Sequence, residues 1–512
     1  MKKIYTLLIT GLTVFSAQSQ NINDAMRYAQ DNLTGTARFR AMSGAFGALG
    51  GDFSSINVNP AGSAVFATSQ VGLSISNYNT SNKSNYFGKN TSETDNAFDI
   101  NQAGGVLVFN NPKQNSGWKK FAIAANYDNM KSFDNSIFSA GTNPNNSIGN
   151  YFLYYANANQ LWSGIPLETL QNAYFDELNY ADQQAMLGYQ SYIIDPVDET
   201  NPNNSVYFSN IPVGGNYYQE NTVVTTGYNG KLSINASANY SDKLSIGINL
   251  NSHFIDYRES SSFFESNTNP NNVDPQRTIT KVRFNNELES YGTGFSFQLG
   301  AIFKPIKELR IGLAYESPTW YEITDKTTQS IGVTGYGLQT VPDTTVLSNA
   351  GFNPRITTEY EPYNLQTPGK FTGSLAYVFG KKGLISFDYA IKDYSKTQFR
   401  PDREFTAAND QMENVLDLAS EFRVGAEYKI MKFSLRGGYR FEQSPYKNGK
   451  TIGDLTGYSA GIGYNFGRFK LDAAYSYAQR DMQKAFFSQG LTDAATIKSK
   501  NDNVTLSLAF EL

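Results

Sequence analysis

Apolar and polar residues alternate strictly in the C-terminal part of this sequence, and this pattern restricts the fold more than any other feature. In residues 433–442 the odd positions are largely apolar, whereas the even positions include Arg436, Arg440 and Glu442. Successive side chains of a β-strand point to opposite faces, so one face of this strand is apolar and the other is charged. Burying both faces inside a protein would desolvate the charges, whereas a membrane barrel offers lipid outside and a polar lumen inside.

The same alternation recurs along the chain and predicts about fourteen strands. The predicted strands are 71–79, 101–110, 119–129, 226–240, 243–257, 287–303, 308–322, 369–379, 383–395, 422–430, 433–442, 458–466, 469–477 and 504–512. Short connections alternate with long ones such as 80–100 and 130–225, as in bacterial barrels with short periplasmic turns and long external loops. We therefore predict an all-β, antiparallel transmembrane β-barrel over residues 67–512, with both termini in the periplasm.

The longest predicted external loop, 130–225, contains two segments in which apolar residues recur at near-helical spacing. These segments are 166–178 and 181–187. They predict short amphipathic helices, which either pack against the barrel mouth or offer apolar surface to a ligand.

The N-terminus and the composition agree with an exported barrel. Residues 1–19 have a charged start, an apolar middle and a small-residue end, which predicts a signal peptide cleaved after Ser19. Tyr, Phe and Gly number 34, 35 and 43, and the chain has no cysteine. Composition alone also permits a secreted β-sandwich or propeller, but neither explains why short and long connections alternate.

Several functional classes are disfavoured. Without Lys2 and Lys3 there are 40 basic and 46 acidic residues, a net charge of −6, which argues against a nucleic-acid partner. The single histidine, His253, and its neighbour Ser252 point to opposite faces of one strand, so they do not form a catalytic pair. We expect no catalytic residue, no metal site and no cofactor, and therefore no enzyme.

Charged residues of both signs lie on the inward rows of the predicted strands. They include Arg310, Asp388, Arg423, Glu427, Arg436, Arg440 and Asp472. Mixed signs favour a cross-strand ion-pair network that contacts a plug, because a selective pore more often carries one predominant sign.

Residues 38–62 are too rich in glycine for a stable exposed helix and too apolar for a solvated linker. We expect this segment to lie inside the barrel as part of a hatch, residues 20–66. The candidate hatch and gating residues are Met42, Gly44, Ala45, Phe46, Gly47, Leu49, Asn59, Pro60, Ala61 and Gly62.

The small-residue run at 37–52, followed by Asn59-Pro60-Ala61-Gly62, resembles the N-terminal hatch of the long-chain fatty acid transporter (FadL) family of outer-membrane proteins. The resemblance implies a fourteen-stranded barrel in the outer membrane of a Gram-negative cell, plugged by its N-terminal domain. It also implies passive, hatch-gated passage of long-chain fatty acids or similar hydrophobic small molecules. Ligand capture at the external loops, an apolar pocket in the upper lumen and sideways exit through the wall belong to the same implication.

Two functions are therefore carried forward. The first is this hydrophobic channel, which would contact outer-membrane lipid and lipopolysaccharide. The alternative is a non-transporting barrel of the same family that serves as a scaffold or partner-docking subunit in an outer-membrane secretion or assembly complex. The large predicted external loops favour the alternative slightly.

Overall fold

The last strand of the sheet pairs with the first, and this pairing closes the sheet into a barrel. In the computed structural model, which describes residues 20–113, 116–159, 163–269, 277–338 and 346–512, the ladder between these two strands runs from Gln70↔Glu511 to Asn85↔Thr496. The wall has 14 strands and every neighbouring pair is antiparallel, which confirms the predicted fold class. The predicted signal peptide lies outside the described residues.

The wall strands are β1 (Gln70–Tyr86), β2 (Lys89–Asn110), β3 (Trp118–Ser132 and Asn135–Asn143), β4 (Tyr217–Tyr240), β5 (Leu244–Ser266), β6 (Thr278–Phe303), β7 (Leu309–Glu316 and Trp320–Tyr336), β8 (Tyr363–Gln366 and Lys370–Phe379), β9 (Gly383–Asp393 and Gln398–Arg400), β10 (Leu418–Ile430), β11 (Phe433–Glu442), β12 (Ile452–Asn465), β13 (Phe469–Ala485) and β14 (Ala494–Glu511). Two further short strands, Leu347–Phe352 and Thr358–Glu359, pair with β7. None of the helices in the described part of the chain is long and apolar enough to cross a membrane.

The outward row of each strand explains the band of apolar surface around the barrel. In β14, Val504, Leu506 and Phe510 are exposed, whereas Thr505 and Ser507 between them are buried towards the lumen. Hydrophobic side chains that are exposed in the isolated chain would contact lipid acyl chains in a bilayer. The alternation in the sequence thus sets both the strand and its register.

Several strands extend well past their predicted ends. The predicted loop 80–100 is wrong, because β1 and β2 continue to a tight hairpin turn at Phe87 and Gly88, where φ is 45° and 83°. Residues 79–97 lack an apolar outward row, which was the signal used to define strand ends. Ladder hydrogen bonds do not require apolar side chains, so a hairpin above the membrane continues without that signal. We call this side of the barrel the loop end and the opposite side the turn end.

A helical cap covers the loop end. It contains α-helices at Gly149–Ala156, Leu167–Asn172 and Tyr180–Gln190, a 3-10 helix at Phe175–Glu177 and a two-stranded sheet of Ile194–Pro196 with Tyr207–Ser209. The helices near 167–190 lie where helical spacing predicts them, whereas Gly149–Ala156 was not predicted. Phe152, Leu170 and Leu187 are fully buried in one apolar cluster with Phe284 of β6. The cap therefore packs directly on the extended strands.

The N-terminal segment runs through the lumen from the loop end to the turn end. It contains α1 (Ile22–Ala29), α2 (Ala37–Ala41) and 3-10 helices at Ser54–Asn57 and Pro60–Val65. Gln20, the first described residue, donates to Asp325 in the loop-end half of β7 (3.2 Å). At the other end Lys120, close to the first turn, donates to the carbonyl of Phe66 (2.6 Å). A 3-10 helix at Tyr394–Lys396 lies between the two parts of β9, and a helix at Thr406–Val415 lies between β9 and β10.

Candidate functional site

The small residues of the hatch pack against glycines of the wall. A Cβ atom at Gly425 would come within 2.6 Å of the Met42 carbonyl oxygen, and one at Gly312 within 2.2 Å of the Gly47 carbonyl oxygen. Gly44 has a φ of 78°, a conformation in which a side chain would be strained. Met42, Ala45, Phe46 and Leu49 are buried at this contact. Small residues on both sides therefore allow the backbone of the hatch to touch the backbone of the wall.

Asn59 connects the parts of the hatch to one another and to the wall. Its side-chain oxygen accepts from the Ala61 amide (3.1 Å) and so caps the 3-10 helix that begins at Pro60. Its side-chain amide donates to the carbonyls of Gly47 (2.7 Å) and Ala301 (3.0 Å). The Gly62 carbonyl accepts from Gly51 (3.0 Å). The Asn-Pro-Ala-Gly sequence is thus a cap and a crossing point of two hatch segments.

The inward charges predicted from the strands meet one another and the hatch. Glu427 accepts from Arg38 of the hatch (3.0 Å) and from Arg436 (2.7 Å), and Arg436 also pairs with Asp472 (2.5 Å). Arg310 donates to the Leu49 carbonyl (2.7 Å).

Three further members of the predicted network have other partners. Asp388 accepts from the Gly47 amide (2.9 Å). Arg423 pairs with Glu421 (2.9 Å) and Arg440 with Glu442 (3.0 Å), each within one strand and not across strands as predicted. Glu427 and Asp388 of the wall accept from the hatch, and Arg310 of the wall donates to it. These contacts hold the lower half of the hatch against the wall.

Asp31 is an anchor that the sequence did not indicate. Its carboxylate contacts the ammonium groups of Lys370 and Lys392, each at 2.9 Å. Burial alone would raise the pKa of Asp31, but the two ammonium groups outweigh it and hold the pKa well below 3.8. A single aspartate in a polar stretch gives no sequence signal of such a role.

Two prolines at matching heights divide the lumen into two regions. Pro318 in β7 and Pro368 in β8 interrupt their strands, and the strands are joined here by the Thr367 amide bonding to the Thr319 carbonyl (3.0 Å). Below the break the inward residues include Glu316 and Lys370, which lie opposite each other in the ladder. The interruption reverses the side-chain alternation of both strands.

Directly above the break the inward side chains are apolar, and the next inward residue of β7 is the buried Asp325. Tyr321 and Ile323 of β7 and Tyr363 and Leu365 of β8 are all buried, at 0–3% exposure. With Phe133, Ile255, Tyr257 and Phe399 they form a region that we call the upper chamber. The upper chamber is filled by α1, whose Ile22, Ala25, Met26, Tyr28 and Ala29 belong to the same apolar cluster.

Below the break lies a charged cavity of about 790 Å³, which we call the lower cavity. Its lining includes four carboxylates and three cations, namely Asp31, Glu316, Asp388, Glu421, Lys231, Lys370 and Arg423. Lys231 is 1% exposed and lies opposite His253 in the ladder. Leu33, Phe39, Val58 and Met130 also line this cavity, but a hydrocarbon there would desolvate the charged groups.

In the described part of the wall, the β2–β3 boundary has a seam without a main-chain ladder. β2 and β3 pair from Gln102↔Asp128 to Asn110↔Lys120, and the ladder stops at Asn101, which is bulged out of the pairing with β1. The second part of β3 then crosses the inner side of β1, where Ser139 bonds to Ser84 (2.6 Å). Among the described residues, no ladder joins 89–100 to Asn135–Asn143.

Side chains from both borders of the seam reach the hatch. Asn101 of β2 donates to the Gly35 carbonyl (2.6 Å), and Asn126 of β3, which is paired with Gly104 just inside the ladder, donates to the Phe53 carbonyl (3.0 Å). Lys131 of β3 donates to the Arg27 carbonyl in α1 (3.0 Å). Across the seam itself, the Asn129 amide donates to the Asp99 carboxylate. Hatch and seam are therefore in direct contact.

The remaining candidates are structural. His253 is 5% exposed and its Nε2 lies 2.9 Å from Ser296 Oγ. Ser252 is exposed on the opposite side of the strand. Within the described ranges, no group of three or more His, Cys, Asp or Glu residues is arranged to hold a metal ion.

The family model described as "Outer membrane protein transport protein (OMPP1/FadL/TodX)" matches residues 210–511, more than half of the chain. The chain belongs to this family. It is therefore an outer-membrane β-barrel transport protein and not an enzyme. No curated protein sequence matches the chain at a significant level.

Solved structures show the same fold. A Pseudomonas aeruginosa FadL homologue is 13% identical and matches over 94% of this chain and 99% of its own, with a TM-score of 0.52. The Pseudomonas putida toluene transporter TodX is also 13% identical, with the same coverage and a TM-score of 0.51. At this identity the likeness concerns the fold alone.

Proposed function

We propose that this barrel passes hydrophobic small molecules, of the long-chain fatty acid or aromatic hydrocarbon type, by passive diffusion gated by the hatch. The observation that carries the proposal is the seam between β2 and β3, whose two borders bond to the hatch in the lumen through Asn101 and Lys131. The proposal takes residues 20–66 as the hatch, the loop end as external and the turn end, with the C-terminus, as periplasmic.

The energetics favour a passive route. Each methylene that leaves water for an apolar site gains about 0.8 kcal/mol, so a hydrophobic compound needs neither charged steering nor an energy source to bind. A polar compound could cross through an open lumen, whereas here the hatch occupies it. A sideways exit through the seam would let a hydrophobic compound enter the lipid without crossing the charged lower cavity.

The test closes the seam with a disulfide. The side chains of Asp99 and Asn129 are hydrogen-bonded across the seam, so the double variant Asp99→Cys/Asn129→Cys puts one thiol on each of its borders, and loss of free thiols on oxidation verifies the cross-link. Uptake of radiolabelled toluene and oleate into cells that express the oxidised variant should fall at least tenfold and recover on reduction. The control Lys83→Cys/Ser92→Cys cross-links two exposed, directly opposed residues of the β1–β2 ladder and should transport normally. Unchanged uptake through the oxidised seam variant would reject the sideways route.

The scaffold function has one observation in its favour. The cap exposes Val197, Val206 and Val213, each at 57–64% exposure, on its outer surface. Affinity purification from native membranes distinguishes the two functions. A stoichiometric partner together with absent toluene and oleate uptake would favour the scaffold.

A further inference from the structure

The upper chamber is the apolar part of the lumen at the level where the hatch begins. The reversal of alternation at Pro318 and Pro368 turns Tyr321, Ile323 and Leu365 inwards, and β5 contributes Ile255. On the outside of β5 the apolar row ends at Phe254 and is followed by Asp256 and Arg258. The chamber therefore lies near the external boundary of the apolar band.

The chamber is occupied by a helix of the same chain, α1. Ala25 and Met26 of α1 are 0% and 2% exposed, and the Tyr28 ring lies 6.1 Å from that of Phe133 and 6.2 Å from that of Tyr321. The helix has 8 residues, too few to be stable in water on its own. Its helical state therefore depends on the apolar contacts that it makes in the chamber.

Polar contacts fasten α1 mainly at its C-terminal end. Lys131 and Lys392 donate to the carbonyls of Arg27 (3.0 Å) and Ala29 (2.7 Å), and Asp31 is held by two lysines. The N-terminal end is capped within itself, because Asn21 and Asp24 form a capping box. Removal of α1 from the chamber would thus leave the hatch below Asp31, and every wall strand, in place.

The other described cavities do not suit an apolar molecule. The lower cavity is lined by seven charged groups, and a second cavity of about 330 Å³ is lined by Asp31, Lys392, Glu421, Glu442 and Arg480. Placing a hydrocarbon in either would desolvate charges without compensation. The apolar surface that a hydrophobic ligand requires is the surface that α1 covers.

We propose that α1 is an internal competitor of the ligand: it occupies the binding site for hydrophobic molecules in the upper chamber, and a ligand binds there by displacing it. This inference rests on the proposed function. The ligand class follows from the chamber lining, which is aromatic and aliphatic, and favours aromatic hydrocarbons and acyl chains. The same displacement would break the bond from Lys131 to Arg27, next to the seam.

The experiment measures binding of the fluorescent hydrophobe N-phenyl-1-naphthylamine to the full barrel in lipid nanodiscs. Met26→Asp places a carboxylate against the apolar chamber, so α1 should leave it and the probe should bind at least tenfold more tightly. Asn23→Asp introduces the same charge at the exposed residue of α1 and should bind as the wild type does. A variant that lacks residues 20–30 removes the competitor outright and should reproduce the gain.

A wall variant locates the bound probe. Ile323→Glu, added to the variant without residues 20–30, should abolish the gained affinity because Ile323 is fully buried in the chamber. Glu322→Gln changes the adjacent, outward-facing residue and should leave the gain intact.

Three outcomes overturn the inference. Unchanged affinity on removal of residues 20–30 means that α1 does not compete, although the channel itself would stand. Gained affinity that survives Ile323→Glu means that the probe binds elsewhere. An absence of probe binding in every variant, together with no uptake of toluene or oleate, rejects the proposed function as well.

Discussion

The two halves of the lumen hold the N-terminal segment by different forces. In the upper chamber α1 is held largely by apolar contacts with Tyr321, Ile323 and their neighbours. Below Pro318 and Pro368 the hatch is held by ion pairs, hydrogen bonds and direct backbone contact, for example at Glu427 and Gly425. Apolar contacts are not directional, so a hydrophobic ligand can replace them, whereas it cannot replace the bonds of the lower half.

This difference assigns the two halves different tasks. The upper half can exchange its own helix for a ligand at little net cost in buried apolar area. On the proposed function, the lower half would keep the lumen closed to polar solutes while that exchange takes place. Asp31 lies at the boundary between the two halves. It is held as the lower half is, by ion pairs, because its carboxylate contacts two ammonium groups.

The largest expected effect comes from breaking the lower half at Glu427. Its side chain is fully buried and binds two guanidinium groups, so Glu427→Ala leaves Arg38 and Arg436 without their shared partner. Removal of one member of a buried ion pair costs about 3–5 kcal/mol. We expect a lower thermal unfolding temperature and faster entry of small sugars in a liposome swelling assay. Glu287→Ala, at an exposed site, is the matched control; a normal swelling rate in Glu427→Ala would show that the lower half does not close the lumen.

A smaller and more local effect is expected in the upper half. Met26→Ala removes buried methylene and thioether contacts, a change worth about 2–5 kcal/mol in a core. Because α1 is the end of the segment and can detach alone, protease cleavage within residues 20–35 should accelerate while the unfolding temperature of the barrel stays unchanged. A fall in the unfolding temperature as large as that of Glu427→Ala would abolish the distinction between the halves.

The smallest effect is the response to pH, and its sign differs between the halves. Burial raises the pKa of Asp24 in α1 from 3.8 to about 6, despite Arg27 beside it. A raised pKa means that the docked helix favours the protonated form, so docking should tighten as the pH falls from about 6 to 4. Asp31 has a lowered pKa, so its anchor is fully present above pH 3.8 and weakens as the pH falls below that value.

Hydrogen exchange at residues 22–29 and 31–36, measured from pH 7 down to pH 3, reports these changes after correction for intrinsic rates. Asp24→Asn should remove the change between pH 7 and 4, and Asp31→Asn the change below pH 4. A parallel response of the two segments over the whole range would contradict the separate origins of their stability.

The sequence predicted the parts of the fold that follow a repeating pattern. The alternation at 433–442 and 504–512 predicted both the strands and which of their side chains point outward. The resemblance at Asn59-Pro60-Ala61-Gly62 predicted the family. Extensions such as 79–97 of the first hairpin were missed because their outward residues meet water and carry no apolar row.

The resemblance implied an apolar pocket in the upper lumen, but the residues of the upper chamber and the helix inside it were not predicted, although two signals for them exist. Asn21 and Asp24 are spaced as a capping box before an apolar run, which marks the start of α1. The apolar positions Tyr321 and Ile323 remain odd-numbered, as are Ile311 and Leu313, yet they face inwards because Pro318 shifts the phase of the strand. The partners of Asp31 had no such signal: Lys370 and Lys392 lie opposite each other in the β8–β9 ladder, but nothing in the sequence places Asp31 of the N-terminal segment beside them.

The central claim is that a hydrophobic ligand takes the place of α1 while the lower hatch stays closed. Hydrogen exchange of the wild-type barrel in nanodiscs, with and without saturating N-phenyl-1-naphthylamine, tests it most directly. The probe should accelerate exchange in residues 22–29 at least tenfold and leave residues 42–62 protected. Unchanged protection of residues 22–29 while the probe is bound would contradict it.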